Sequence, residues 1–524
     1  MSRAPRRGRA LLLAAVAACL CAASITGPLR PGTASGARAP ATTSSVRDLV
    51  NGLRLVNYFP ASGPHDRMWT NFDAAAIDRD VARVAAMHGN AVRIILDLRV
   101  FSVPSPPPQY LRELSTVVAV AARHGVRTQL TLFDQMSGCA TCGGTTQIEA
   151  SERWVDAVAS SLPHGDPRIA FVELQNQINP HDENAMRWAQ ELIPYLKRAW
   201  GGIPVTVSAD APVANLVDLK LALGSVAPDF WDFHYYYLPG SALSSFAEAR
   251  RIAAPRPLLI GETGYSTWPG EMGRPGVPAT SSAHEAYQDY FLRTVELATR
   301  RAGLPPAAPW LLNDFPCPEC TPPGCVLDCA PQPCSGCPQL DDFYGMFRAD
   351  GSPKPAAATM SGVLAGLPVS TDFNGGFEEP AGADPADWRI QQPDDATFAR
   401  DTAVAHSGRA SARIEGSTPG TAQPPCWFVE PMTPVTREEA TLSAWVRGRQ
   451  ATGTTEVDIA WLDYAGREVG RVASTPLPLG DTGWTRLTAS GTPPLSAVAT
   501  RIRLCSSGNA GAAWFDDVTV ASAS

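Results

Sequence analysis

The sequence predicts an α/β fold, a (β/α)8 barrel, followed by an all-β sandwich. Two observations predict the barrel. Eight short apolar segments typical of β-strands lie between residues 53 and 316, and stretches with apolar residues at helical spacing lie between them. Eight strands alternating with helices over about 320 residues is the pattern of such a barrel. A doubly wound open sheet is the alternative, but no glycine-rich phosphate-binding loop follows the first strand.

The elements of the barrel follow one another in chain order. The predicted strands are residues 53–60, 90–98, 127–133, 169–176, 204–210, 230–236, 257–264 and 309–316. Helical spacing of apolar residues is clearest over residues 75–89, 109–125, 183–200, 283–303 and 353–367. This order predicts a TIM barrel over residues 47–367.

A change of composition after Leu367 predicts a second domain over residues 368–524. Helical periodicity disappears there, and Gly, Pro, Asp and Ser residues separate short alternating strands. The strands are expected at residues 440–448, 455–464, 485–490, 498–507 and 512–520. We therefore expect a jelly-roll sandwich.

The N-terminus is typical of bacterial export. Residues 1–26 combine a basic start with an apolar run too short for a comfortable membrane span, which predicts a signal peptide. Val16-Ala17-Ala18-Cys19 is similar to a lipobox, so lipidation at Cys19 is an alternative to cleavage further on. Residues 27–46 are rich in Pro, Ser, Thr, Ala and Gly and are expected to form a flexible linker. The protein is expected to be secreted or held at the cell surface, without a transmembrane span.

Export to an oxidising compartment predicts disulfide bonds among the cysteines. Twelve cysteines are present. Besides Cys19 and Cys21, they are Cys139, Cys142, Cys317, Cys320, Cys325, Cys329, Cys334, Cys337, Cys426 and Cys505. Cys426 and Cys505 are expected to join strands of the sandwich. The two CxxC pairs within residues 317–337 leave a zinc knuckle open as an alternative to disulfides there.

Polar and aromatic residues collect at the predicted strand ends, where TIM barrels carry their active sites. These candidates are Arg93, Asp134, Asn176, Gln177, His234, Tyr236, Glu262 and Trp310. Polar groups that converge beside an aromatic platform suit a hydroxyl-rich ligand such as an oligosaccharide or polysaccharide. A nucleic-acid partner is not expected, because the net charge is −8 and no block of Lys and Arg forms a basic patch. The protein is expected to be a monomer.

Glu262 is the most specific single candidate. It follows the apolar run PLLIG, which would carry its carboxylate to the mouth of the barrel. Arg93 beside it would stabilise the charged carboxylate that a nucleophile requires, although a structural ion pair between the two is also an adequate explanation. A hydroxyl from Tyr236 could orient the same carboxylate.

The motifs resemble the clan A retaining glycoside hydrolases, most closely glycoside hydrolase family 5, the cellulase family, over roughly residues 50–365. The matching residues are NYFP at 57–60, NAVRI at 90–94, ELQN at 173–176, HYY at 234–236, IGETG at 260–264 and Trp310. The resemblance implies that Glu262 is the nucleophile, that Asn176 binds the sugar 2-hydroxyl and that Trp310 stacks on the sugar. It also implies that Arg93 and Tyr236 tune Glu262 and that catalysis needs no cofactor. From their places at the strand ends, Arg93, Asp134, His234 and Tyr236 are expected to contact substrate as well.

Gln177 departs from the family, which has a Glu as general acid/base at this position. An amide cannot transfer a proton in this way, so the expected hydrolysis of β-linked glycans would be impaired. Three alternatives remain open. A nearby acid could substitute, for which the candidates are Glu173, Asp182, Glu183 and Asp210, with Glu173 discounted as too deep in the barrel. The substrate could carry a good leaving group, as for plant thioglucosidases, or the barrel could bind glycans without cleaving or transferring them.

The C-terminal domain resembles jelly-roll carbohydrate-binding modules related to families 4 and 9. The matching phrases include FNGGFE at 373–378, HSGRASARI at 406–414 and AAWFDDVTV at 512–520. The resemblance implies a structural calcium ion near Glu378 and Asp516, although both residues could equally be ordinary turn caps.

Overall fold

A computed structural model describes most of the chain beyond the N-terminal segment. The described residues are 43–61, 63–134, 145–268, 281–315, 340–369, 373–418, 423–430, 435, 437–463 and 467–522. They belong to one compact unit. The predicted signal peptide, and the predicted linker up to residue 42, lie outside them.

The N-terminal half is built on two parallel sheets. The first sheet has five strands in the order β1 (Leu55–Asn57), β2 (Ala91–Asp97), β3 (Arg127–Asp134), β4 (Ile169–Gln175) and β5 (Val205–Thr206). The second has three strands in the order β6 (Ser208–Asp210), β7 (Trp231–Tyr235) and β8 (Leu258–Thr263). Val207 alone separates β5 from β6, so one stretch of chain belongs to both sheets.

Helices alternate with these strands. They are α1 (Thr43–Asn51), α2 (Arg67–Thr70), α3 (Ala74–Ala86), α4 (Pro108–Arg123), α5 (Thr145–Ser160), α6 (Glu183–Ala199), α7 (Val213–Leu223), α8 (Ala242–Ala253), α9 (Ser281–Ala302) and α10 (Pro355–Leu364). Since α1 begins at Thr43, the last residues of the predicted linker are helical. Alternation of parallel strands with helices makes this half an α/β, TIM-barrel-like domain.

The segment predicted as the eighth strand forms bridging hydrogen bonds rather than a regular strand. On one side, Trp310 donates its backbone N–H to the carbonyl of Thr263 in β8 over 2.7 Å. On the other side, Leu312 donates to the carbonyl of Asn57 in β1 over 3.1 Å, and Asn57 donates to Pro309 over 3.2 Å. Residues 309–312 therefore lie between the last and the first strand.

The strands of this domain are buried along nearly their whole length, as is usual for parallel sheets covered by helices. Most of their side chains are apolar. Arg93, Glu173, Asp232, His234 and Glu262 are exceptions, because they are buried and yet polar or charged. Buried charge requires partners, and those partners define the site described below.

The C-terminal half is a sandwich of antiparallel strands. Its strands are β9 (Pro380–Ala381), β10 (Asp384–Pro385), β11 (Arg389–Gln391), β12 (Thr397–Asp401), β13 (Ser411–Glu415), β14 (Cys426–Val429), β15 (Ala440–Ala451), β16 (Thr454–Leu462), β17 (Glu468–Ala473), β18 (Gly480–Gly491), β19 (Ala499–Ser507) and β20 (Ala512–Ser522). One five-stranded sheet has the order β11-β14-β19-β16-β17 and the other β12-β13-β20-β15-β18. A disulfide joins Cys426 to Cys505, which are paired across β14 and β19, as the sequence predicted.

The two halves are joined by polar contacts from α9. Tyr290 donates a hydrogen bond to the main-chain carbonyl of Glu430, and Arg293 pairs with Asp387. Glu430 is fully buried and pairs with Arg389 over 3.1 Å and with Arg501 over 2.8 Å. The buried ion cluster therefore lies where the sandwich meets the α/β domain. Among the described residues, no helix has the length and apolar character needed to cross a membrane.

Candidate functional site

Glu262 lies near the end of β8 and is 3% exposed. Arg93 donates a hydrogen bond to Oε1 of Glu262, and the Tyr236 hydroxyl donates to Oε2 over 2.7 Å. Burial and the Glu262 carboxylate raise the pKa of Tyr236 well above its ordinary value, so the hydroxyl keeps the proton that it donates. Both oxygens of Glu262 are thus fixed by a donor.

The glycine before Glu262 allows the strands to pack closely at this point. A Cβ atom at Gly261 would lie 2.2 Å from Oδ1 of Asp232 on the neighbouring strand β7. Any larger residue would displace that carboxylate. The IGET sequence therefore brings Glu262 into the site while leaving space for Asp232.

Arg93, on β2, connects its strand to β1 and β4 in the same sheet and to β8 in the second sheet. Its guanidinium donates to Glu173 over 2.8 Å, to the Asn176 side-chain oxygen over 2.9 Å and to the Asn57 side-chain oxygen over 3.1 Å, in addition to Glu262. The side chain is 1% exposed. A guanidinium with several fixed donors is suited to hold such an arrangement rigidly.

A second group of buried ionisable residues lies next to Arg93. The ligating atoms of Glu173, Asp232 and His234 all lie within 4.8 Å of one another, which makes these the described residues best placed to hold a metal ion. Burial, followed by the Glu173 carboxylate, raises the pKa of Asp232 well above its ordinary value. Burial, followed by Arg93, lowers the pKa of His234 to about 3, so this imidazole is neutral. Because Arg93 already supplies a positive charge to Glu173, we assign no metal to the group.

Glu262 opens onto a cavity of about 280 Å³. The cavity is lined by His65, Ile95, Asp134, Asn176, Gln177, Tyr236, Glu262, Trp310 and Tyr344. Five of them, Asp134, Asn176, Gln177, Tyr236 and Glu262, lie at or near strand ends. The lining combines carboxylates, amides and aromatic rings. A larger cavity of about 380 Å³ between α7 and α8 is mostly apolar and has Glu248 as its one carboxylate among the described lining residues, so we place the chemistry in the smaller cavity.

The structure brings six of the eight predicted site residues to this cavity and places two beneath it. Arg93 and His234 were expected to contact substrate, but both are buried and neither lines the cavity. His234 lies with Nδ1 3.3 Å from Oε2 of Glu262. Side chains that point into the barrel below the strand ends are covered by the side chains above them. Arg93 and His234 can therefore act only through Glu262 and its neighbours.

Gln177 lies two residues beyond the end of β4 and lines the cavity, half-buried. Its backbone has a φ of 47°, in the left-handed region that side-chain-bearing residues seldom adopt. Its backbone N–H donates to the Ser208 hydroxyl over 2.7 Å, which holds this conformation. Such local strain in a cavity-lining residue is typical of functional sites.

The four acids proposed as substitutes for a Glu at position 177 lie outside the cavity. Glu173 is fully buried and holds Arg93. Asp182 caps the N-terminus of α6, accepting hydrogen bonds from Asn184 and Ala185, and Glu183 begins that helix. Asp210 accepts a hydrogen bond from Asn215 over 3.0 Å. None of these four lines the cavity, which contradicts their proposed substitution for Gln177.

Three cavity residues were not predicted from the sequence. His65 lies beyond β1, Ile95 lies inside β2, and Tyr344 precedes α10. Ile95 was inseparable from the apolar pattern of its strand. Tyr344 packs edge-on against Tyr236 with ring centroids 5.9 Å apart, a contact across more than a hundred residues that local pattern cannot reveal.

Glu378 and Asp516 support a loop of the sandwich. Oε1 of Glu378 accepts the N–H groups of Arg409 and Ala410, at 2.8 and 3.2 Å. Oδ2 of Asp516 accepts the N–H group of His406 over 2.7 Å. Gly408 has a φ of 62°, and a Cβ there would meet Glu378 at 2.2 Å. Both carboxylates thus serve the turn-capping role that the sequence left open. The remaining predicted disulfide cysteines lie outside the described residues.

Comparison with known proteins gives only distant likenesses. No protein-family model matches the sequence, and no curated protein matches it. An exo-β-1,4-mannosidase from Opitutaceae bacterium strain TAV5 is 17% identical with a TM-score of 0.47, covering 60% of this chain and 59% of its own. This chain thus spans less than two thirds of the length of that mannosidase.

Two GH5_18 proteins are similar to the same extent. One, from Streptomyces cattleya and solved as a variant in complex with Manβ1-4GlcNAc, is 18% identical with a TM-score of 0.47 and covers 60% of this chain and 80% of its own. The other, from Bifidobacterium longum subsp. infantis, is 15% identical with a TM-score of 0.47 and covers 62% and 81%. At these TM-scores the likenesses carry no argument about activity, which is therefore argued from the site alone.

Proposed function

We propose that the protein is an exported glycoside hydrolase that cleaves O-glycosidic bonds of β-linked glycans by a retaining mechanism, with Glu262 as nucleophile. The observation that carries this proposal is the carboxylate of Glu262 at the cavity wall, with one oxygen bound by Arg93 and the other by Tyr236. A nucleophilic carboxylate needs to be charged and fixed in orientation. A structural ion pair alone would not need an adjoining cavity with an aromatic residue.

The remaining cavity residues suit a sugar. Trp310 offers an aromatic face, and Asn176, fixed by Arg93, offers an amide to a ring hydroxyl. We infer that residues 309–312 complete a closed (β/α)8 barrel as its eighth member, because they are hydrogen-bonded to β8 and β1. The domain boundaries at residues 47–367 and 368–524 belong to the same proposal.

The nucleophile can be tested without proton transfer to the leaving group. Incubation with 2,4-dinitrophenyl 2-deoxy-2-fluoro-β-glucoside and its β-mannoside counterpart should add one fluorosugar to the protein, on the peptide that contains Glu262. Mass spectrometry of the digest reads this directly. Glu262→Gln should show no adduct, and Glu248→Gln, on the surface of α8, should label like the natural protein. Absence of an adduct with every fluorosugar, despite measurable binding of oligosaccharide, would overturn the proposal.

A glycan-binding protein without turnover is the second candidate, and Gln177 is the observation that favours it. We expect Gln177→Glu to increase the hydrolysis of phenyl β-glycosides, and Glu262→Gln to abolish it in the same background. Restriction to substrates with good leaving groups, or transfer to another sugar, is an intermediate outcome. If both proteins bind oligosaccharides and neither forms an adduct nor turns over, the lectin-like function is correct.

We further propose that the sandwich is a carbohydrate-binding module. Its β15-containing sheet carries Trp445 stacked on His406 at 4.2 Å between ring centroids, with Trp484 5.5 Å from the same imidazole. Both tryptophans are partly exposed, and aromatic rings that reach solvent can bind sugar faces. Trp445→Ala should weaken retention on insoluble β-glucans while leaving the melting temperature nearly unchanged. A calcium ion near Glu378 and Asp516 stays a prediction, and EDTA should lower the melting temperature if the ion is present.

A further inference from the structure

Among the described residues, the cavity is lined by one acid besides Glu262, which is Asp134. It lies on the strand that neighbours β4, the strand that precedes Gln177. Asp134 is the last residue of β3, which pairs in parallel with β4. Its side chain lines the same cavity as Glu262 and Gln177 and is only slightly exposed. The sequence alone had marked Asp134 as a sugar-binding residue rather than as a proton donor.

We propose that Asp134 is the general acid/base of this site and replaces the glutamate that Gln177 lacks. The proposal rests on the proposed glycoside hydrolase function and names the group that transfers its proton. A general acid must lie in the same cavity as the nucleophile and must be held in orientation. Asp134 lines the cavity beside Glu262 and is held by a hydrogen bond from Asn176, so it meets both conditions.

A chain of hydrogen bonds fixes Asp134 relative to Glu262. Asn176 donates its side-chain N–H to Oδ1 of Asp134 over 3.3 Å. The oxygen of the same amide accepts from Arg93 over 2.9 Å, and Arg93 also donates to Glu262. Oδ2 of Asp134 accepts no hydrogen bond from any residue that the structure describes. One carboxylate oxygen is thus anchored and the other is left for a ligand.

The surroundings of Asp134 favour its protonated form. Burial raises the pKa of Asp134 above its ordinary value, and the nearby Asp97 carboxylate raises it further. His65, Arg93 and the hydrogen bond from Asn176 oppose this effect without cancelling it. An acid that keeps its proton closer to neutral pH is a better proton donor than an ordinary aspartate.

The proposed reaction has two balanced steps. In the first, a Glu262 oxygen attacks the anomeric carbon, the bond from that carbon to the leaving oxygen breaks, and the Asp134 carboxyl gives its proton to that oxygen. An alcohol leaves, and a glycosyl ester of Glu262 remains. In the second, the Asp134 carboxylate takes a proton from water, whose oxygen attacks the anomeric carbon. The ester bond breaks, which frees the sugar and regenerates the Glu262 carboxylate and the Asp134 acid.

The test compares leaving groups. We would measure kcat/KM of the natural protein and of Asp134→Asn with dinitrophenyl and with phenyl β-glycosides of the same sugar. The dinitrophenolate leaves without a proton, so Asp134→Asn should change its rate by no more than a few fold. The phenyl glycoside should lose about 10²- to 10⁴-fold, the usual size of general acid catalysis. A residue that only binds sugar would lower both rates equally, and that result would overturn the proposal.

Two further measurements distinguish a loss of proton transfer in Asp134→Asn from structural damage to the site. Sodium azide should accelerate Asp134→Asn on the dinitrophenyl substrate and yield a β-glycosyl azide, because azide needs no general base. Gln177→Glu should restore part of the lost phenyl glycosidase activity in the Asp134→Asn background. A Tyr58→Phe protein, altered in a buried hydrogen bond to Asp80 away from the cavity, is the matched control and should show neither effect.

The outcomes distinguish this inference from the proposed function. If the fluorosugar adduct on Glu262 does not form, the hydrolase proposal fails and this one fails with it. If the adduct forms and Asp134→Asn behaves as a binding variant, only the role of Asp134 is wrong. If Asp134→Asn does not fold, the pH dependence of kcat/KM of the natural protein tests the role of Asp134. Its kcat/KM for phenyl glycosides must fall at alkaline pH while that for dinitrophenyl glycosides does not, and parallel profiles would reject Asp134 as the acid.

Discussion

Arg93 donates hydrogen bonds to Glu262 and to Glu173 at once, and so joins the strands β2, β4 and β8 through two buried carboxylates. All three side chains are almost fully buried. A buried charge is stable only with a partner and hydrogen bonds. The same contacts that keep these charges in the interior also fix the direction of the Glu262 carboxylate, so stability and the proposed function depend on the same residues.

Tyr236→Phe should slow fluorosugar labelling of Glu262. The change removes the 2.7 Å hydrogen bond from the hydroxyl to Oε2. Hydrogen bonds to charged groups contribute about 1.5–3 kcal/mol, so the labelling rate should fall about 10- to 100-fold. Intact-mass spectrometry over time measures the rate. Tyr58→Phe, which loses a buried hydroxyl away from the cavity, should label normally, and equal slowing of both would contradict the role of Tyr236.

Gln177→Val should destabilise the protein more than Gln175→Val. Residue 177 has a φ of 47°, and a β-branched side chain is poorly accommodated there. Left-handed backbone costs roughly 1–2 kcal/mol for an L-residue, and a valine should add a comparable penalty over Gln. Gln175 lies at the end of β4, where Val is well suited. Urea unfolding compares the two, and equal midpoints would show that the backbone at residue 177 is relaxed.

Glu296→Gln should flatten the pH dependence of stability. Burial raises the pKa of Glu296 to about 8 from its ordinary 4.5. Between these values the folded state holds a proton that the unfolded state releases, so the free energy of unfolding should fall by about 1.4 kcal/mol per pH unit as pH rises. Gln does not titrate, and the variant should lose this slope. Glu248→Gln, on the surface of α8, should retain it, and retention by Glu296→Gln would show that another group titrates.

Glu430→Ala should destabilise the sandwich where it meets the α/β domain. The change leaves Arg389 and Arg501 without their carboxylate, and Arg389 is buried. Breaking a buried ion pair from one side usually costs about 3–5 kcal/mol. Denaturant unfolding followed by tryptophan fluorescence would measure the loss. Arg467→Ala, which breaks a surface pair with Asp463, should cost no more than about 1 kcal/mol, and a similar cost for both would argue against a buried cluster.

The order of strands and helices was largely predictable from the sequence. Seven of the eight predicted strand segments contain strands β1 to β8, and the five predicted helices correspond to α3, α4, α6, α9 and α10. The prediction worked because burial on both faces gives parallel strands an uninterrupted apolar pattern. It gave no helix for α1, α2, α5, α7 or α8 and took residues 309–316 for a strand. Local pattern does not show which apolar segments form a full ladder of hydrogen bonds.

The amino-acid sequence was sufficient to predict the α/β and all-β parts, the Cys426–Cys505 pair, and the strand ends from which the candidate residues come. Those features depend on local pattern and on residue type. Three features became apparent only in the folded protein. Arg93 and His234 lie beneath the cavity, Asp182 caps a helix, and Asp134 is linked to Glu262 through Asn176 and Arg93. Burial, hydrogen-bond partners and pKa depend on residues far apart in the chain, and the distances between those residues are set only when the sheets pack.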